Sequence, residues 1–273
     1  MAGIRLLVAG GGTAGHVLPA ISVLEAAMAN GYGPDELHYV GSTRGVEGEM
    51  IPPLGVPSTL LRVGGLQRRV TASNLLFAPL MVAAVLSSLG LLRRRRPAVV
   101  VSVGGYASLP PVLAARLLRI PVVVVSYDRR PGRASALSAR FAAASAVAFP
   151  DSALPRATFT GAPLRRAILT ADRAGGRGPA RTRLGIDEDR FLVVALGGSL
   201  GSAALNAAVV RLVEERADDR GLAVIHLAGR RFVDDLSEAQ VHIQQILHKL
   251  CLHRSHLLER GAPGRNKLHS PVG

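Results

Sequence analysis

His16 is the side chain in this sequence whose surroundings best suit it to chemistry. It closes the run Gly10-Gly11-Gly12-Thr13-Ala14-Gly15-His16, which follows an apolar strand at Ile4–Ala9 and opens a stretch with Val17, Leu18, Ile21, Leu24 and Met28 at helical spacing. An imidazole titrates near neutrality, so it can take a proton from a hydroxyl. The glycines let the backbone turn with positive φ and come close to a ligand, and the first amides of the helix can hold a diphosphate. A histidine in this place can also serve only as a hydrogen-bonding helix cap.

Two further glycine turns repeat the theme. Gly104-Gly105-Tyr106 follows a strand at Ala98–Val103, and Gly197-Gly198-Ser199-Leu200-Gly201 follows a strand at Arg190–Leu196. Gly10, Gly12 and Gly15 match the dinucleotide fingerprint G-x-G-x-x-G in its proper context. NAD would need an acid at the end of the second strand for its ribose, and this chain has Gly41-Ser42-Thr43-Arg44 there. Those residues suit a 2′-phosphate, so an NADP-dependent oxidoreductase is the alternative. A lone dinucleotide domain leaves the second and third turns unexplained, whereas two domains that each present glycine turns suit a reaction between two phosphorylated substrates.

The elements that position these turns alternate between strands and helices. Strands are expected at Glu36–Val40, Ser58–Arg62, Pro121–Val125, Ala146–Phe149, Ala157–Thr160 and Leu222–Leu227. Helices are expected up to Leu118, over Ala134–Ala144 and over Ser202–Arg216. This pattern is α/β, with parallel sheets covered by helices on both faces. Thr170–Arg183, rich in Gly, Arg and Ala and carrying Pro179, reads as a linker. The expected division is residues 1–168, a linker at 169–184, a partial second domain at 185–240 and an atypical tail at 241–273. That tail holds Lys249 and Lys267, Cys251 and five of the eight His. Lacking the spacing of a zinc site, it reads as foreign to the rest, from a truncated or frame-shifted gene, with an amphipathic helix possible over Val241–Leu258.

Leu75–Leu92 is nearly uncharged, with Arg68 and Arg69 before it and Arg93-Arg94-Arg95-Arg96 after it. Its length raises the question of a membrane span. Pro79, Ser87, Ser88 and Gly90, and the strand that follows at once, favour a crossover helix with an exposed, lipid-seeking end. The chain has 273 residues and a formal net charge of +14. Without interleaved aromatics or a nucleic-acid-reading motif, that charge does not point to nucleic acid. One cysteine excludes a disulfide framework, and Met1 enters the first strand almost at once, so a cytoplasmic location is expected.

Taken together, GGGTAGHVLPA at Gly10–Ala20, SVGGYASLPPVLAA at Ser102–Ala115, TGAPLR at Thr160–Arg165 and GGSLGSAALN at Gly197–Asn206 resemble the MurG family. The resemblance runs over roughly residues 3–236, in order and with similar spacing. It implies a GT-B-like fold, two Rossmann-like domains facing a cleft, the second incomplete here. It implies inverting, metal-independent transfer of N-acetylglucosamine from UDP-N-acetylglucosamine to the C4 hydroxyl of the muramyl sugar of lipid I, the undecaprenyl-diphosphate-linked muramyl-pentapeptide, with no cofactor. His16 is then the candidate base or an acceptor-side contact. Thr13, Gly15, Asp128, Arg165 and Ser199 fall on the donor side, and Gly12, Gly104, Gly105 and Tyr106 on the acceptor side. Leu75, Leu76, Phe77, Leu80 and Met81 with Arg68, Arg69, Arg93 and Arg94 resemble the family's patch for anionic lipid, which implies a peripheral protein on the cytoplasmic membrane face. Val125-Ser126-Tyr127-Asp128 stands where the family usually carries His-Glu-Gln-Asn. With Val241–Gly273 lacking the family's donor-binding residues, a catalytically dead membrane-associated fragment is a further alternative.

Overall fold

The computed structural model describes residues 3–63, 77–198, 201–229 and 232. The expectations for Arg68, Arg69, Leu75, Leu76, Ser199 and the 241–273 tail lie outside the described residues, as does the side chain of Phe77. The chain divides into two compact units, Met1–Ala171 and Asp172–Gly273.

In the first unit seven strands form one parallel sheet: β1 (Leu6–Ala9), β2 (Leu37–Ser42), β3 (Ser58–Leu61), β4 (Val99–Ser102), β5 (Val122–Ser126), β6 (Ala144–Val147) and β7 (Ala157–Phe159). Their order is β3-β2-β1-β4-β5-β6-β7. Strands buried on both faces need apolar residues on both, and β1 supplies them: Leu7 and Ala9 enter one core and Val8 the other. Helix α1 (Ala14–Ala29) closes the second core with Val17, Ala20, Ile21 and Leu24, and the short α2 (Glu47–Met50) follows β2. On the first face lie α3 (Phe77–Arg95), α4 (Leu109–Leu117) and α5 (Arg133–Phe141), contributing Ala84, Leu91, Leu92, Val112, Ala115 and Ala139. Burying each Leu or Val contributes roughly 1.5–3 kcal/mol.

The run at Leu75–Leu92 thus supplies the crossover between β3 and β4. Ala84, Ser88, Leu91 and Leu92 face the core, while Leu80, Val82 and Leu86 are exposed. Among the described residues, no helix is long and apolar enough to cross a membrane.

Most element boundaries differ from the sequence expectation by one or two residues, and three of the shifts are informative. β2 continues through Gly41 and Ser42, where its pairing with β3 runs on to Leu61. α5 stops at Phe141 rather than Ala144 and β6 begins at Ala144 rather than Ala146. The Ala143 amide pairs with the Val122 carbonyl at 2.7 Å, so sheet pairing draws the alanines out of the helix they would otherwise favour. The expected linker carries α7 (Arg177–Leu184), preceded by the short α6 (Arg166–Leu169). Pro179 sits in the first turn of α7, where its missing N–H costs nothing. Arg181 is buried and donates to the carbonyls of Asp187 (2.7 Å) and Arg190 (3.0 Å), an anchor that a composition typical of linkers conceals.

The second unit pairs β8 (Phe191–Leu196) with β9 (Leu222–Leu227) in parallel, joined through α8 (Ala203–Glu215). Ser202 caps α8 by accepting from the Leu205 amide at 3.4 Å. Asn206 reaches the His226 ring at 2.9 Å and donates to the Ala228 carbonyl at 3.2 Å, tying the helix to the end of β9.

His38 on β2 gives the first unit a pH dependence. It is buried, its Nε2 lies 2.9 Å from the Thr59 hydroxyl on β3, and desolvation, then the charge of Arg95, pulls its pKa from 6.5 to about 4. Between those values the unfolded chain binds the extra proton, so stability falls as pH falls through that window, by up to about 3 kcal/mol. His38→Gln keeps a partner for Thr59 without titrating. Urea unfolding from pH 6.5 to pH 4 should therefore show a shallower loss in the variant; equal slopes would remove His38 as the cause.

Candidate active site

The site forms where the sheet order reverses. β1 and β4 are neighbours, with Ala9 opposite Ser102, and the chain leaves them for helices on opposite faces, opening a crevice beyond their carboxyl ends. Both glycine turns of the first unit emerge there. A Cβ on Gly10 would lie 2.2 Å from Val103 Cγ2, and one on Gly105, whose φ is +79°, would lie 2.4 Å from the Gly11 carbonyl oxygen. The turns touch backbone to backbone, which only glycine permits.

This contact makes room for the His16 ring. Cβ atoms on Gly104 or Gly105 would each stand 3.3 Å from it, so the imidazole lies directly against the second turn. Its Nδ1 is 3.1 Å from Thr13 Oγ1. With Nδ1–H donating to Thr13, Nε2 keeps its lone pair and is the nitrogen that can accept a proton. Desolvation lowers the His16 pKa, against the charges of Asp128 and Glu47, which raise it, so the neutral ring is favoured near pH 7.

Tyr127 crosses the same crevice from the end of β5. Its ring centroid is 6.5 Å from that of His16, and its hydroxyl lies 2.8 Å from the Gly15 carbonyl and 3.2 Å from the Val103 carbonyl. Burial, then the charge of Asp128, pushes this phenol up, so it remains a donor. Asp128 is exposed, and Tyr106 opens the 3-10 turn Tyr106–Ser108 that continues the second glycine loop.

Glu47 was missed by sequence reasoning, which looked for an acid only at the end of β2. It is 1% exposed, and its Oε1 accepts the amides of Gly12 (2.7 Å) and Ser42 (2.9 Å). Tyr39 donates to the Gly10 carbonyl at 2.6 Å beside it. The expected offer of free turn amides to a diphosphate is therefore corrected at Gly12, whose N–H points inward. The NADP alternative weakens for the same reason. Ser42 is buried, with its hydroxyl donating to the Val63 carbonyl (3.2 Å), and a carboxylate occupies the neighbourhood where a 2′-phosphate would sit. The signal that could have found Glu47 is Gly41 and Gly45, which leave space beside it for a buried side chain.

Of the proposed contacts, Gly12, Thr13, Gly15, Gly104, Gly105, Tyr106 and Asp128 gather with His16 around this crevice. Arg165 does not. Its guanidinium donates to Glu25 Oε1 (3.2 and 2.9 Å) and the Arg166 amide donates to Glu25 Oε2 (2.9 Å). Glu25 lies nine residues beyond His16, about 13 Å further along α1, so this pair docks α6 on α1. Leu80 and the side chains of Arg93 and Arg94 are exposed on α3, and Met81 is half-buried.

Residues 6–147 match the glycosyltransferase family 28 N-terminal domain, just over half of the sequence. The chain belongs to glycosyltransferase family 28. It is 41% identical over 224 residues, 82% of its length and 60% of the relative's, to the UDP-N-acetylglucosamine–N-acetylmuramyl-(pentapeptide) pyrophosphoryl-undecaprenol N-acetylglucosamine transferase of Clavibacter michiganensis subsp. michiganensis. It is 40% identical over 228 residues, covering 83% and 62%, to the Nocardioides protein of the same name. Among solved structures it resembles Acinetobacter baumannii MurG, with a TM-score of 0.56 at 21% identity over 89% of this chain and 64% of that one. UDP-GlcNAc 2-epimerase from Neisseria meningitidis matches with a TM-score of 0.60 at 12% identity, over 90% and 71%. These relatives bear out the resemblance to the MurG family and the GT-B-like α/β fold. The chain spans about 60% of the length of the curated relatives named here.

Gly105 has φ +79° and ψ 159°, a backbone region essentially reserved for glycine, and a Cβ there would also lie 2.4 Å from the Gly11 carbonyl oxygen. Gly161, with φ +80°, would meet nothing within 4 Å. Gly105→Ala should therefore cost at least about 2 kcal/mol more than Gly161→Ala, from the strained backbone and the displaced Gly11 carbonyl together. Equal losses in chemical denaturation would show that neither the backbone region nor the close approach constrains Gly105.

Proposed function

We propose that this chain supplies the acceptor-binding, membrane-associated part, and the beginning of the donor-binding part, of a transferase moving N-acetylglucosamine from UDP-N-acetylglucosamine to the C4 hydroxyl of the muramyl sugar of lipid I. The observation that carries it is the His16 imidazole, favoured neutral, held by Thr13 and laid against the Gly104-Gly105 turn at the switch point of the sheet. The names of the relatives supply the substrates.

In this reading His16 Nε2 takes the proton from the acceptor hydroxyl as its oxygen forms a bond to the anomeric carbon of the donor sugar. The bond from that carbon to the diphosphate oxygen breaks, UDP carries away the electron pair, and attack from the opposite side inverts the centre. Asp128, exposed beside His16, suits sugar hydroxyls better than phosphate, because a carboxylate accepts hydrogen bonds from hydroxyls and repels an anion. Gly104, Gly105 and Tyr106 present the acceptor-side loop, and the Gly197–Gly201 turn of the second unit takes the donor diphosphate. No metal is assigned a role.

The exposed apolar side chains of α3, with Arg93–Arg96 at its end, suit the interface of an anionic bilayer. Each arginine near such a surface contributes about 1 kcal/mol. We place the protein peripherally on the cytoplasmic membrane face on this basis.

Transfer of radiolabelled N-acetylglucosamine to lipid I in vesicles tests the reaction in the protein carrying this sequence. His16→Ala should lower it about 10²–10⁴-fold, and near-normal turnover would remove His16 from the chemistry. Replacing Leu80, Val82 and Leu86 together with Asp should release the protein from anionic liposomes on sedimentation; unchanged pelleting would refute the membrane face.

A further inference from the structure

Glu47 is held in a cage of glycines. Cβ atoms would lie 2.1 Å from its Oε1 on Gly11, 1.7 Å from its Oε2 on Gly45 and 2.9 Å from its Cγ on Gly41. Oε1 accepts two backbone amides, whereas Oε2 is buried without a hydrogen-bond partner. Burying a carboxylate and leaving one oxygen unpaired is costly, and three glycines devoted to such a group point to a task beyond packing. Its two amides come from the end of β2 and from the turn after β1, the kind of N–H concavity that elsewhere holds a ligand's anion.

We propose that Glu47 is a positioning residue for His16: its carboxylate is a built-in anion that fills the cradle of the first glycine turn, turns the Gly12 amide inward and so sets the turn from which Thr13 and His16 rise. Free diphosphate is thereby kept from that amide, and the crevice side of the turn is left to the His16 ring. The titratable groups around this ring are Glu47 after β2, and Tyr127 and Asp128 after β5, with Tyr39 of β2 joined to the turn through the Gly10 carbonyl. Thr13 and Ser135 face it or its glycine loop with hydroxyls only.

The test is an NMR titration of His16 in the full chain, its signal assigned by its loss in His16→Asn. Glu47→Gln preserves the shape and an oxygen for the two amides but removes the charge. It should move the His16 midpoint down by about half a unit, since a nearby negative charge favours the imidazolium. Asp128→Asn should move it in the same direction and serves as the reference. Glu47→Ala should in addition speed hydrogen exchange of the Gly12 and Ser42 amides at least about tenfold; where that variant does not fold, Glu47→Gln decides alone. A His16 midpoint in Glu47→Gln within about 0.1 unit of the wild type would overturn the proposal. So would wild-type exchange in a folded Glu47→Ala, or a Gly12 amide signal that moves when inorganic diphosphate is added to the wild type. Only the consequence for turnover rests on the transferase reading. Failure of His16→Ala to slow transfer would overturn that reading and leave the titration standing.

Discussion

The carboxyl edge of the first sheet depends on one close approach, that of the Gly10–Gly12 turn to the Gly104–Gly105 turn. Parallel neighbours that lead to helices on opposite faces diverge at this point and leave a crevice between the loops. Here Gly105 presses its Cα toward the Gly11 carbonyl, and Gly10 lies under Val103. The space so freed is filled by one ring, that of His16, and spanned by one phenol, that of Tyr127. A side chain on either of these glycines would move the strands apart or displace the imidazole.

A turn made of glycines is pliable, since glycine carries the most conformational freedom of any residue. Three side-chain bonds from outside the turn restrain it: Tyr39 on the Gly10 carbonyl, Glu47 on the Gly12 amide and Tyr127 on the Gly15 carbonyl. They come from β2, from the segment after it and from the end of β5. The rigidity of the turn is thus borrowed from flanking strands, and the His16 ring that rises from it beside Thr13 gains a more defined orientation.

Strands and glycine turns were legible because their signals are local. Apolar runs ending in glycine read directly as β1, β4 and β8, and the helical spacing after Gly15 as α1. The α3 crossover was also legible, because Ala98–Val103 had to lie parallel to its neighbours and a parallel connection needs a covering helix. What stayed hidden is held by partners far apart in sequence. Glu47 reaches back 35 residues to Gly12, and Arg165 reaches 140 residues to Glu25. No local pattern announces either bond. The alanines at 142–144 show the complementary failure, where helix propensity gave way to pairing with β5.

Tyr127 follows from the same physics. Where the family pattern carries an amide side chain, this chain has a phenol that reaches two carbonyls, one after the first glycine turn and one before the second. A phenolic O–H has one proton, so it bridges these two carbonyls as a shared donor. Its aromatic body adds apolar cover against His16, and desolvation is the leading cause that keeps the imidazole neutral. Asp128, next in the chain, works in the opposite sense by favouring the charged ring. Burial and the Asp128 charge therefore pull the same histidine in opposite directions, with burial prevailing. That balance favours the neutral imidazole, against a carboxylate whose charge favours the imidazolium.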